Sequence, residues 1–387
     1  MLRSSLTLFA IIAVVVLAAS AAAAPNRSSA QTFKVGWISG LTGTQATNSA
    51  AATQGIVAAL KSINATNAAG VKLAVTTVDD AATPAVAGQR CNQLVNQNHV
   101  QAILGFESTP SQAACLQYAS NIPYILAQTS TSGSICPSNY YALATVGNQQ
   151  VNPLVDYLLK TGSKRIYIVA NDFSSGHIGA GQVAARVGSK GTIVGTSYEP
   201  LGTTDFSSDI SKIAAAKPDT VVDVLVGNDE VSFYKQFRTD PRSSGIRTAS
   251  FLMDDGIAAA IGQKLLKGTI VNTSYSSAST EPENQHFIKV MKAYYGNKAE
   301  ISGAAAAAWD GMWILAKTIK RSGSTDPSKL ISALPNAFYS GPRGDLAFKG
   351  KHYVSLTMTL VSYNGTTGKI VGKFRHMNPI PANSSCG

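Results

Sequence analysis

From Phe33 onward the chain repeats one pattern: a short run of β-branched and aromatic residues, a turn, then a helical stretch. The strand-like runs are FKVGWI, KLAVTTV, VQAILGF, IPYILA, RIYIVA, GTIVGTSY, TVVDVLVG and TASFLM. Between most of them lie helical segments such as AVAGQRCNQLVNQ, SQAACLQYAS, QVNPLVDYLLKTG, DFSSDISKIAAA and VSFYKQFRTD. Parallel strands need crossovers of a dozen or more residues, and these segments supply them with the right-handed connection that strand twist favours. The pattern predicts an α/β chain of doubly wound parallel sheets with helices on both faces.

The series restarts in the middle. YYALATVGNQQVNP leads into a new helix, and KRIYIVAND, the glycine-containing FSSGHIGAG and another helix repeat the layout of the beginning. Two lobes follow. Later, ENQHFIKVMKAYYG and AAAAAWDGMWILAKTIKR read as helices with no strand between them, which suits helices added to a lobe already built. The stretch from Gly341 to Phe374 reads as a late β-meander. These breaks predict crossings between lobes near 145–150, 270–276 and 338–346. The expected division is 31–147 plus 274–342 for one lobe and 148–273 plus 343–387 for the other.

Composition bounds the setting. Residues 1–30 have Arg3, an apolar run from Leu6 to Ala19 and small residues up to Ala30, the pattern of a cleaved secretory signal peptide. The run is shorter than the ~20 residues a spanning helix needs. An exported, periplasmic, water-soluble protein is expected, with a monomer as the assembly. The net charge of +11 is spread along the chain with no basic run, so nucleic acid is not an expected partner. Cys91, Cys115, Cys136 and Cys386 fall in a compartment where disulfides persist, and three pairings are open. No C-x-x-C or H-x-x-x-H spacing occurs, so neither a metal nor another cofactor is called for.

Catalytic patterns find little support. There is no Walker A loop and no G-x-S-x-G elbow, and GHIGAG reverses the glycine spacing of the dinucleotide fingerprint. Asp79 and Asp80 suit the capping of a turn. Four loops at the carboxyl ends of strands, where open sheets hold ligands, are instead rich in hydroxyls. They are SGLTG, GFESTPSQ with Ser108 and Thr109, AQTSTSGS with Thr129, Ser130 and Thr131, and NDFSSGHIG with Phe173 and Ser175. Ser108 and Thr109 precede a helix, a place suited to a carboxylate or to a simple N-cap. In the other lobe LVGNDEV sets Asn228 and Asp229, and FLMDDG sets Asp254 and Asp255, just past strands. An acid there would suit an ammonium group or stand in a solvated turn. A ligand with both charges is an amino acid.

Taken in order, FKVGWISGLTG, TQGIVAALKSIN, VTTVDD, VQAILGFESTPSQAA, NIPYILAQTSTS, KRIYIVANDFSSG, FLMDDG and GPRGDLAF resemble the branched-chain amino-acid type of type I periplasmic binding proteins that serve ABC importers. The resemblance covers essentially all of the chain after the signal. It implies two lobes joined by three crossings, hinge closure on a small solute, and transient docking on a membrane permease. It also implies ligand contact by the Ser108 loop and by Thr129–Thr131, an acid at Asp255 for the amino group, and a second-lobe wall at Ser175 and Asn228. Tyrosines common over the ligand are replaced here by Ser175 and by Asn228 or Asp229, and the usual glutamate by Asp255. The implied cleft is small-walled and polar, with short amides, urea or aromatic acids as alternative ligands and a sensor receptor as an alternative partner. A secreted enzyme using Asp79, Asp254 or Asp255 is the reading from a different class.

Overall fold

The computed structural model describes residues 32–43, 45–349 and 351–386; the expected signal peptide lies outside them. The first run of βαβ units contains β1 (Phe33–Ser39), α1 (Ala46–Ala65), β2 (Leu73–Asp79) and α2 (Pro84–Asn92). It continues with β3 (Ala102–Phe106), α3 (Thr109–Leu116), β4 (Tyr124–Leu126) and β5 (Tyr140–Ala142). The five strands pair in the order β2-β1-β3-β4-β5, all parallel. Strands β3, β4 and β5 are buried at every position, as parallel strands covered on both faces must be.

The second run begins with α4 (Gly147–Lys160), β6 (Arg165–Asn171), α5 (Ser174–Val187), β7 (Thr192–Glu199) and α6 (Ser207–Ala216). Then come β8 (Thr220–Val224), α7 (Asn228–Phe237), β9 (Arg247–Ser250), α8 (Asp255–Ile261) and β10 (Thr269–Thr273). After β10 the chain returns to the first lobe with α9 (Pro282–Tyr295), α10 (Gly303–Ser322), α11 (Pro327–Ala333) and the hairpin β11 (Phe338–Gly341) and β12 (Gly344–Ala347). It ends with β13 (Leu356–Tyr363) and β14 (Gly368–Met377), which extend the second sheet. That sheet runs β14-β13-β10-β9-β8-β6-β7, parallel through β10 and antiparallel at β13 and β14. The fold is thus α/β with two doubly wound lobes.

The helix α10 is built to pack closely. Ser302 caps its start, Gly323 closes it with a left-handed φ of 62°, and its alanine run lies on α1. A Cβ placed on Gly55 of α1 would stand 2.1 Å from the Ala305 carbonyl oxygen, so only glycine permits this approach. The sequence pattern expected the third passage between lobes at 338–346, but the chain passes later, between β12 and β13. The cause is a buried ion pair. Arg343 donates from Nε to Asp310 of α10 at 2.6 Å and from Nη1 to the Leu143 carbonyl at 2.8 Å, holding the hairpin on the first lobe. The disulfides join Cys91 to Cys115, tying α2 to α3, and Cys136 to Cys386. The second of these brings the last residues back to the first lobe.

Candidate functional site

The hydroxyl-rich loops of the first lobe do come together. Ser108 is the N-cap of α3, its Oγ accepting from the Ser111 N–H at 3.3 Å. Thr109 Oγ1 lies 3.4 Å from Ser132 Oγ, linking this loop to the one that follows β4. There the backbone is spent on the first crossing. Thr129 O accepts from the Thr145 N–H and hydroxyl at 3.0 and 2.8 Å, and Thr131 N donates to Thr145 O at 2.9 Å. Ser130 bridges Thr145. The side chains of Thr129, Ser130 and Thr131 are left half-buried along this edge.

The second-lobe residues divide. Phe173 stands half-buried before α5, while Ser175 and Asn228 are exposed on the first turns of α5 and α7. Asp229 is occupied elsewhere: its carboxylate accepts from Asn171 Nδ2 at 2.7 Å and from the Gly202 N–H at 2.9 Å. Asn171 in turn accepts from the Val226 N–H at 2.9 Å. This lock fastens the carboxyl ends of β6, β7 and β8, and Asp229 serves the scaffold under the loops.

The adjacent acids Asp254 and Asp255 have different surroundings. Asp255 accepts from the Ser277 N–H at 2.8 Å, on the second crossing. Burial pushes its carboxyl up to about 6, opposed by that hydrogen bond and assisted by the Asp254 charge. Asp254 caps α8 through the Ile257 N–H at 2.9 Å, and burial raises its pKa as well. Gly303, the first residue of α10, locates Asp254. A Cβ at Gly303 would meet Thr129 Cγ2 at 3.2 Å, Tyr275 Cβ at 3.8 Å and Asp254 Cβ at 3.9 Å. A first-lobe threonine, a second-lobe acid and the second crossing therefore converge on one glycine.

Two residues at this point escaped the sequence reading. Tyr275 is 2 % exposed, and its buried hydroxyl has no hydrogen-bond partner among the described residues. Its pKa is raised, by burial first and then by the Asp255 and Asp310 charges. Gly303 carries no side-chain chemistry and matters because it is small. The only available signal was SGAAAAAW, a cap followed by a small-residue helix. The start of this helix, 20 residues long, places free backbone N–H groups and the positive end of a dipole where Thr129 and Asp254 meet.

In the first lobe, Cys91, Cys115 and Glu107 offer atoms within 4.8 Å of one another. Two of the three are consumed by a disulfide, and the buried Glu107 accepts from the Tyr124 hydroxyl. Its carboxyl is held well above the usual range by desolvation. This group is part of the lobe's interior. Among the described residues no helix is long and apolar enough to cross a membrane.

The arrangement, two doubly wound lobes with donors on one side of a cleft and an acid on the other, is that of a protein that holds a small solute. A sequence model of the periplasmic binding protein family matches residues 32–369. The chain belongs to that family. A Leu/Ile/Val-binding protein homolog of Brucella melitensis is 28% identical over 275 residues, covering 69% of this chain and 70% of that one. Solved structures repeat the fold over almost the whole length. An amino acid ABC transporter substrate-binding protein from Pseudomonas fluorescens gives a TM-score of 0.83 at 18% identity, covering 92% of this chain and 99% of its own. A Rhodopseudomonas palustris ABC transporter solute-binding protein, solved with 3,4-dihydroxybenzoic acid, gives 0.79 at 24% identity, covering 90% and 98%.

Proposed function

We propose that this binding protein is the extracytoplasmic solute-capturing component of an ABC importer. It closes its lobes on a small polar solute with an anionic and a cationic end, an amino acid or a close analogue, and presents the closed form to a membrane permease. The observation that carries the reading is the convergence of Thr129 and Asp254 on Gly303. Hydroxyls and helix N-termini of the first lobe suit a carboxylate, and the second-lobe acid suits an ammonium group. A ligand touching both sides favours the closed state by its differential affinity, as population shift requires. Asp254 replaces Asp255 in this reading because Asp255 is engaged by Ser277.

A second reading keeps the transport role and changes the ligand to an aromatic acid. Its support is that a structural neighbour was solved with 3,4-dihydroxybenzoic acid, together with the half-buried Phe173. A thermal-shift panel of α-amino acids, short amides, urea and benzoates separates the two, because a ligand that binds only the folded state raises the melting temperature. Stabilisation by an α-amino acid supports the proposal, and stabilisation by benzoates alone supports the second reading. Asp254→Asn keeps an N-cap and removes the charge. With an amino-acid ligand it should weaken binding by roughly ten- to a hundredfold; unchanged affinity overturns the ammonium assignment.

A further inference from the structure

Acidic residues are unevenly placed in this chain. None occurs after Asp345, whereas Lys349, Lys351, Lys369, Lys373 and Arg375 do. The loop at 262–268 likewise holds Lys264 and Lys267 and no acid. The fold brings this loop against the β13–β14 turn. A Cβ on Gly365 would stand 3.4 Å from Lys267 Cβ, and the Gly268 N–H donates to the Tyr363 carbonyl at 2.9 Å. Because β13 runs antiparallel to β10, the turn lies at the amino end of β10, whereas the cleft loops occupy the carboxyl ends of the strands.

β14 is the last strand of its sheet. Among its cations it exposes Val371 at 41 % and Phe374 at 36 %. Beside it a groove of about 420 Å³ is lined by Thr280, Asn364, Thr367, Lys369 and Lys373. We propose that this basic edge is a docking surface for an anionic phospholipid bilayer, the groove receiving a phosphodiester headgroup.

Charge complementarity carries the assignment. Glu281 accepts from both Lys373 and Arg375 at 2.8 Å, so one acid is shared by two cations. The exposed Lys264, Lys267 and Lys369 enter no ion pair among the described residues. Uncompensated cations are attracted to an anionic lipid surface within a Debye length. The hydroxyls of Thr280 and Thr367 and the Asn364 amide add donors for phosphate oxygens. Val371 and Phe374 decide between a bilayer and a soluble anion. A free phosphate has no use for exposed apolar side chains, and a membrane interface takes them up. A second copy of the chain is a poor fit, because pairing two such edges would set lysines against lysines. The contact lies away from the cleft and does not depend on which solute the cleft holds. It would keep the protein at the membrane surface reversibly, with a strength set by salt.

The test is co-sedimentation of the purified protein with phosphatidylcholine vesicles containing phosphatidylglycerol, against vesicles of phosphatidylcholine alone. Binding is expected to the mixed vesicles only, and it should fall steeply with added salt. The double variant Lys267→Glu, Lys369→Glu should lower the partition coefficient by about tenfold or more. The same change of charge at the opposite edge of the sheet, Lys164→Glu with Lys190→Glu beside β6 and β7, should lower it by about twofold at most. Val371→Ser, with charge unchanged, should lower it by about threefold to tenfold. All five positions are exposed, so each variant should melt close to wild type. Absence of binding to the mixed vesicles, or equal losses in the two double variants, overturns the proposal. Undiminished binding in Val371→Ser together with release by inorganic phosphate would give the groove to a soluble anion and overturn it. A dimer seen by light scattering and lost in Val371→Ser would give the edge to a second copy and overturn it equally.

Discussion

At the scale of single residues, two glycines show how the same atom can serve different ends. Gly55 and Gly303 both stand where a side chain would collide, but with different neighbours. The Cβ of an alanine at 55 would meet the Ala305 carbonyl, and backbone of two packed helices cannot step aside. Gly55→Ala should therefore cost roughly 2–4 kcal/mol of stability, seen in urea unfolding, with binding little changed per folded molecule. A variant as stable as wild type would show that α1 and α10 can separate. At Gly303 the nearest atom is a methyl of Thr129 of the same lobe, at 3.2 Å, and the Cβ of Asp254 faces it from the second lobe at 3.9 Å. Gly303→Val should leave urea stability within about 1 kcal/mol of wild type, since the half-buried Thr129 side chain can turn aside and the second lobe can part from Asp254's side. It should remove the ligand-induced rise in melting temperature. A normal thermal shift in this variant would mean that ligand binding does not bring Asp254 against the start of α10.

At the scale of elements, β8, α7 and β9 enclose two carboxyl groups, neither paired with a cation among the described residues. Asp223 accepts from the Tyr234 hydroxyl at 2.9 Å, and Glu230 from the Ser250 hydroxyl at 2.8 Å. The remaining oxygens, Asp223 Oδ1 and Glu230 Oε2, are buried and unpaired as acceptors. A proton shared between the two side chains turns that conflict into a hydrogen bond. Burial raises Asp223 to about 6 and Glu230 well above its ordinary value, with the Asp223 charge as Glu230's second cause. Because both folded-state values are raised, the associated stability is complete below the unfolded values, 3.8 and 4.5. It is lost as pH rises through about 6 and above. Wild type should lose clearly more stability than Glu230→Gln between pH 4 and pH 8. Urea titrations at the two pH values check this, and parallel pH dependence in the two proteins would remove the shared proton from the account. Such pairs were invisible in LVGNDEV, where Asn228 and Asp229 attracted notice and Glu230 did not. The βαβ elements were legible because burial on both faces leaves long apolar runs in a strand. The partners of Asp229 and Asp255 were not, because Asn171, Gly202 and Ser277 approach them through loops, and loop contacts impose no period on the sequence.

At the scale of the whole molecule, the family fold could be read from the order of strands and helices, whereas the fastening of the lobes to each other could not. The third passage between lobes is held late by Arg343 and Asp310, and the chain's end adds a further tie. β14 belongs to the second sheet, yet nine residues beyond it Cys386 is bonded to Cys136, in the loop between β4 and β5 of the first lobe. The Asn383 N–H also donates to the Gly133 carbonyl at 3.1 Å. Besides the three passages, the tail is a fourth covalent link across the hinge, and the cysteines it joins are 250 residues apart in sequence. A link that closes so long a loop restrains the unfolded chain strongly, so replacing both cysteines by serine should cost roughly 2–4 kcal/mol. A tether also limits how far the lobes can open. The ligand-free double variant should therefore show a larger radius of gyration by small-angle X-ray scattering than wild type, while the two proteins match when ligand is bound. Lower stability with identical scattering in both states would leave the tail as a staple of the fold and remove it from the hinge. A larger free form would make the tail a stop on opening, set by one disulfide that a reductant can release.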